Sequence, residues 1–486
     1  MQNYSQVYIA TRTQLIFALH DKRLEYRRIL SEHIKKIYNT ELLNAKDLEL
    51  LPKSAFLLSS SRSGSSVSAD ILSQHAKGCK HTESKLLCLP GELRPYFVLA
   101  MLTPPFVDGF SDALGSQDTK DLTRIDILLR ELSQEIGYPV GETSDILTYA
   151  ITFYGRLLLQ WPTIDFGSAD TAIAKIHKII EDISSSVKGI PTYIDSPVSR
   201  QRLLLAINKH FPGIDLRFYD IMHTKRDAID ESYSINFDCL VEEPPFIVPV
   251  PWNFATRDEI GRGVLLIKDP SNAWRIPFWR EILKSHTISW LHLTRNVLET
   301  INGLCDGWKY PFGYISNRSP SPLKIRGYSN KRLPWTQWYS KFSTSNRVWE
   351  LLLSEESVDL EYVCATQWAD AHRSIINLVS NDQGYCKISS KKEPSKIGFE
   401  WLRSEPVEAI SRICEDLDVQ LSQSLIDAAN SIKKRLIQVT PGTYGRPDRW
   451  KVARNRDLII KYSQEQYISE ISERIGCQHP KELINA

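Results

Sequence analysis

The chain has 486 residues, with 60 Lys and Arg against 58 Asp and Glu for a formal charge of +2, and 42% apolar and 24% charged residues. Those are the proportions of a folded globular protein, and the charge balance excludes a surface given over wholly to nucleic acid or anionic lipid. Any anion site has to be local. At roughly 100 to 200 residues per domain, the length allows two or three domains or one large elaborated α/β enzyme.

Residues 12 to about 50 carry apolar positions at helical spacing (Leu15, Ile16, Leu19, then Ile29, Ile34, Ile37) among many charges, which predicts a surface helical lead-in. After Pro52, the apolar run Ala55-Phe56-Leu57-Leu58 predicts a strand, Ser59 to Ser66 a tight polar loop, and Val67 to Gln74 a helix. Leu86-Leu87-Cys88-Leu89 predicts another strand. Residues 120–240 read as mostly helical, punctuated by Pro191, Pro197 and Pro212. Val264 to Ile267, ending in Lys268-Asp269-Pro270, and Ile288 to Leu293, ending in Thr294-Arg295-Asn296, read as strands joined by an amphipathic helix over 274–284; strand, helix, strand predicts a parallel pair. Residues 310–345, rich in Pro, Ser, Gly, Lys and Arg, read as a long loop region. Eleven of the twelve Trp follow residue 250, so they either pack the core and pin this loop or wall a substrate.

The eight cysteines are scattered, with no CxxC and no His at ligand spacing, which fits a reducing cytosol better than a disulfide framework or a zinc site. The first residues show no basic region followed by an apolar stretch, and no window approaches about 18 uninterrupted apolar residues. The expectation is an unanchored, cytoplasmic protein that binds no nucleic acid.

The loop Ser59-Ser60-Ser61-Arg62-Ser63-Gly64-Ser65-Ser66 carries the chemistry. Gly64 lets the backbone curl, amides converge at the following helix start, hydroxyls add donors, and Arg62 supplies a planar fork for phosphate or sulfate oxygens. A Ser-rich helix cap with no ligand is the plainer alternative. The loop is no Walker A, lacking GxxxxGK[ST], and Thr-Arg-Asn stands where an ATPase would place its magnesium-holding Asp.

Taken in order, the Arg-Ser-Gly-Ser-Ser loop, the strand ending in Lys-Asp-Pro and the strand ending in Arg-Asn resemble the PAPS-dependent sulfotransferase superfamily. The likeness runs over 55–110 and 245–310, with an echo at 442–456. It implies an α/β, three-layer P-loop NTPase-like fold with a mostly parallel sheet and large helical insertions. The co-substrate it implies is 3'-phosphoadenylyl sulfate (PAPS), with no metal. Arg62, Ser63, Gly64, Ser65 and Ser66 then resemble the 5'-phosphosulfate loop, in the Arg variant found in tyrosylprotein sulfotransferases. Arg295 resembles the Arg that grips the 3'-phosphate, and Arg449 with Lys451 the closing basic loop, where Trp450 would pack on adenine or on the loop itself. Lys268 resembles the Lys that balances charge on the leaving phosphate. The family places a Ser eight residues after its Arg; here that position is Gly303, and backbone amides of Asn302 or Gly303 would have to serve.

The resemblance makes Glu92, after Leu89-Pro90-Gly91, the candidate base, with Glu83 its rival. Arg62, Lys268 and Glu92 form the expected catalytic set. His372 reads as a surface or core histidine far from the motif strands. The expected division is a lead-in over 1–50, a core over 51–310 with a helical insertion at about 115–240, and a long loop, helical cap and C-terminal closing segment over 311–486. The acceptor is expected to be a hydroxyl or amine of a specialised metabolite, lipid or peptide. A catalytically silent nucleotide-binding protein of the same fold and a P-loop kinase are the alternatives.

Overall fold

The computed structural model describes residues 53–75, 85–88, 139–142, 164–185, 197–214, 252–254, 263–268, 270, 272–282, 287–309, 315–318, 324–328, 332–334, 356–393, 395–432 and 448–485, with isolated positions elsewhere. The lead-in over 1–50, apart from Arg28, Ile29 and Glu32, lies outside them, as do Glu83 and Glu92.

The centre is a mixed α/β arrangement around one parallel sheet of five strands: β1 (Lys53–Leu58), β2 (Lys85–Cys88), β3 (Gly263–Lys268), β4 (Thr287–His292) and β5 (Tyr385–Lys387). Their order across the sheet is β5-β4-β1-β3-β2, and every pairing is parallel. β1 is buried on both sides from Ser54 to Leu58, which is why it reads as an unbroken apolar run rather than an alternating one. The strands β3 and β4, expected to pair with each other, instead flank β1: Leu57 stands opposite Lys268 on one side and Leu291 on the other. A crossover helix fixes parallel direction but not adjacency, so the inserted strand was not readable from the local pattern.

Helices pack against both faces of the sheet. Ala55, Leu57, Val264, Leu266, Leu291 and Leu293 share a core with α1 (Ser65–Ser73) and with residues of α7 (Gly398–Ser404), α8 (Pro406–Leu417) and α9 (Gln423–Asn430). On the opposite face, Phe56 stacks on Trp290 at 4.9 Å between ring centroids and meets Trp279 of α4 (Asn272–Ile282) at 5.2 Å. α5 (Val297–Lys309) and α6 (Leu360–Val379) lie against one another on that side, and α10 (Arg456–Ser463) and α11 (Gln466–Arg474) dock on α6. Tyr467 donates to Asp370 and Asn455 to Glu361 to hold them there. Apart from this body, α2 (Ala169–Ser185) packs on α3 (Pro197–His210), where Phe166 meets Phe211 edge-on. Pro197 opens α3 rather than a loop, because a first-turn proline has no amide to lose.

Residues 310–345 are not loop throughout: Ile315–Arg318 pairs antiparallel with Arg332–Pro334, and Ile325–Arg326 pairs parallel with Val358–Asp359. Seven of the late Trp are buried (274, 279, 290, 308, 368, 401 and 450) and pack the core; Trp335, Trp338 and Trp349 lie outside the described residues. Among the described residues no helix is long and apolar enough to cross a membrane.

One buried polar cluster sits on the tryptophan face. His292, at the end of β4, bonds Tyr385 through Nδ1 and His372 of α6 through Nε2, both at 2.8 Å. His372 is therefore a core histidine, but it touches a motif strand rather than lying far from it; the α6 register that brings it there is a tertiary fact. Burial, helped by the positive charge of Lys387, pushes His292 down from 6.5 to about 3, and burial together with its neighbour His292 lowers His372. Both rings are neutral when folded and gain a proton on unfolding below about pH 6.5, so stability is full above that pH and falls as pH drops towards 3. Acidification from pH 6.5 to 4.5 should remove about 2 kcal/mol through His292 alone. Denaturant melts of wild type and His292→Gln across this range test it: the slope should flatten in the variant, and equal slopes would contradict it.

Candidate functional site

β1 lies at the centre of the sheet, and the chain leaves it in one direction while β4 and β5 build out in the other. Such a reversal opens a crevice at the carboxyl ends of the strands, where open parallel sheets take their ligands. The loop after β1 and the residues after β4 both end there.

The loop is shaped by two left-handed residues, Arg62 at φ 67° and Gly64 at φ 86°. Gly64 is the N-cap of α1, with no side-chain cap; the first helical bond runs from the Ser68 amide to the Gly64 carbonyl at 3.1 Å, with the Ser68 hydroxyl on the same oxygen. The first turn of α1, with the positive end of the helix dipole, therefore follows directly on this loop. A Cβ at position 64 would lie 2.2 Å from the Phe399 ring, so glycine is required for space as well as for φ. Ser60 and Ser63 bond each other through their hydroxyls at 2.6 Å, which fixes the loop's width.

Two expected cations reach this loop. Lys268, 5% exposed at the end of β3, donates to the Ser66 hydroxyl at 2.8 Å. It faces the α1 side because it stands beside Leu57 in the register. Arg62 extends over α5 and donates through Nε to the Gly303 carbonyl at 2.9 Å. A Cβ on residue 303 would sit 3.2 Å from the Arg62 Cβ and 3.8 Å from its Nε. Position 303 therefore lies close against Arg62, and glycine there costs about 1 kcal/mol of helix propensity.

Arg295 stands at the same strand end, 16% exposed at its side chain, but its partners belong to the protein. Nη1 donates to the Arg62 carbonyl at 2.8 Å, Nη2 to Glu299 one turn on, and the guanidinium lies 5.2 Å over the Phe399 ring. Glu400 is close enough to feel it: burial raises the Glu400 carboxyl, and Arg295 opposes that rise. Arg449 is paired with Asp306 at 2.8 Å, two turns along α5 from Glu299. Lys451 is 3.7 Å from Asp448 and lies over Trp450, which is buried in the protein. The C-terminal turn is therefore tied to α5 near the loop, and the Asp448 amide donates to Glu299 at 2.6 Å.

Glu299, Phe399, Glu400 and Asp448 were missed as site residues. Glu299 had a signal, since a carboxylate four residues after Arg295 falls on the same helix face. Asp448 stands beside Arg449 in the 442–456 stretch, whereas Phe399 and Glu400 come from distant sequence and carried no signal. Among the described residues, no group of three or more His, Cys, Asp or Glu is arranged to hold a metal ion.

No protein-family model matches the chain, and no curated protein matches it. Among solved structures, a sulfotransferase domain from the curacin biosynthetic pathway superposes over 88% of this chain and 99% of that one, with a TM-score of 0.32 and 14% identity. So loose a likeness decides nothing about chemistry, which has to be read from the residues.

Proposed function

We propose that the chain is a sulfotransferase of three-layer, P-loop-like fold that moves a sulfuryl group from PAPS to a hydroxyl or amine acceptor. The observation that carries the reading is the convergence of the Arg62–Ser66 loop, the start of α1 and Lys268 at the carboxyl ends of β1 and β3. Helix amides, a planar guanidinium and a buried ammonium together suit a tetrahedral, multiply charged group. The Lys268 ammonium meets the loop directly, through the Ser66 hydroxyl.

In this reading the loop amides, Ser63, Ser65 and Ser66 hold the 5'-phosphosulfate, with Arg62 beside them. The acceptor oxygen or nitrogen attacks sulfur, the bond from sulfur to the bridging oxygen breaks, and adenosine 3',5'-bisphosphate leaves. Lys268 neutralises the charge that grows on the leaving phosphate. The acceptor's proton passes to a carboxylate, for which Glu92, with Glu83 as rival, is proposed. The resemblance also assigns Arg295, Arg449 and Lys451 to the 3'-phosphate. Each already faces a carboxylate, so most of the affinity is expected at the 5' end.

Gly303, the departure from the resemblance that favours the catalytically silent alternative, lies against Arg62, with a Cβ there 3.2 Å from the Arg62 Cβ. The test is to incubate the purified chain with radiolabelled PAPS and a host metabolite extract and identify the labelled product by mass. Transfer to a hydroxyl or amine compound, lost in Arg62→Ala, is the expected result. No labelled product alongside magnesium-dependent ATP turnover would replace the reading with a kinase.

A further inference from the structure

Glu299 is 6% exposed in the first turn of α5 and uses both carboxylate oxygens. One accepts Arg295, whose other arm donates to the Arg62 carbonyl at 2.8 Å; the other accepts the Asp448 amide at 2.6 Å. The two residues at the ends of this chain of bonds, Arg62 and Asp448, are among the few non-glycine residues with positive φ among the described residues, at 67° and 59°. Such conformations persist only where the surroundings hold them, and here one carboxylate reaches both. Asn296, which caps α5 by accepting the Glu299 amide at 2.9 Å, is itself held by Glu400 through its amide at 3.2 Å. Glu299 therefore cannot swing away without disturbing the helix start. Arg295 is paired with Glu299, so the charge it would offer a bound phosphate is already balanced by a carboxylate.

We propose that Glu299 is a positioning residue that fixes the anion loop and the Asp448–Val452 turn as one unit. It acts on nucleotide only through Arg295 and Arg62, and Arg295 is the brace of the loop rather than the reader of a 3'-phosphate. The ligand half of the test rests on the nucleotide reading above; the exchange half does not.

The test variant is Glu299→Gln in the full chain, because an amide keeps one acceptor and turns an NH2 towards the second donor. Hydrogen exchange should quicken together in residues 60–66 and 448–452. Affinities for adenosine 5'-monophosphate and adenosine 3',5'-bisphosphate should fall by one common factor, about tenfold for a lost charge-assisted bond, leaving their ratio unchanged. A ratio that shifts against the bisphosphate would overturn the brace, and so would faster exchange confined to 448–452. If wild type binds neither nucleotide, the nucleotide reading fails and the exchange comparison still decides the brace. Should the amide variant not fold, Glu299→Asp, with both acceptors on a shorter stem, is measured in the same way.

Discussion

Lys268→Met is expected to lower sulfuryl transfer by about 10²–10³-fold, the usual loss when one preorganised charge is removed from a developing oxyanion. Methionine keeps the length and most of the apolar stem of the lysine, so the 5%-exposed site stays filled. The ammonium bonds the Ser66 hydroxyl at 2.8 Å, at the first turn of α1, where the proposed function puts the leaving phosphate. Binding of adenosine 3',5'-bisphosphate should weaken far less than turnover, because loop amides and Arg62 remain. The measurement is release of the bisphosphate from PAPS in the presence of a metabolite extract that supplies an acceptor. Turnover within a few-fold of wild type would remove Lys268 from the chemistry.

Gly64→Ala should have the second large effect, on the loop itself. The substitution meets two obstacles at once: a φ of 86° and a ring atom of Phe399 2.2 Å from the new Cβ. Phe399 is 4% exposed and belongs to the core beneath the sheet, so it has little room to retreat. Left-handed strain and overpacking together should cost about 2–4 kcal/mol and abolish nucleotide binding. Thermal melts with and without adenosine 3',5'-bisphosphate check both halves. A variant that melts with wild type and keeps the ligand-induced shift would show that the loop does not depend on this geometry.

How much of this was legible in the sequence differs from element to element. β1 to β4 announced themselves as apolar runs, and the helix between β3 and β4 as an amphipathic stretch. β5 did not, because Tyr385–Lys387 is three residues long and owes its place to pairing with Trp290, Leu291 and His292. The insertion of β1 between β3 and β4 depends on pairing over some 200 residues, which no local pattern encodes. At the site, the loop and both strand-end cations were readable because each follows an apolar run. Gly303 was visible as a departure from the resemblance, but its neighbour Arg62 lies 241 residues away in sequence and reaches it only because β1 and β4 pair side by side. The carboxylates around Arg295 changed its part most: charge in a sequence shows that a guanidinium is present, not what already holds it. The base proposed at Glu92 or Glu83 falls outside the described residues.

The central claim is that Arg62 and the loop it belongs to hold the 5' end of a nucleotide. Calorimetric titration of adenosine 3',5'-bisphosphate into wild type and Arg62→Ala tests it most directly. Saturable binding by wild type, weakened about 100-fold or more in the variant, is expected for a lost bidentate contact to a charged group. Equal affinity in the two proteins would contradict it.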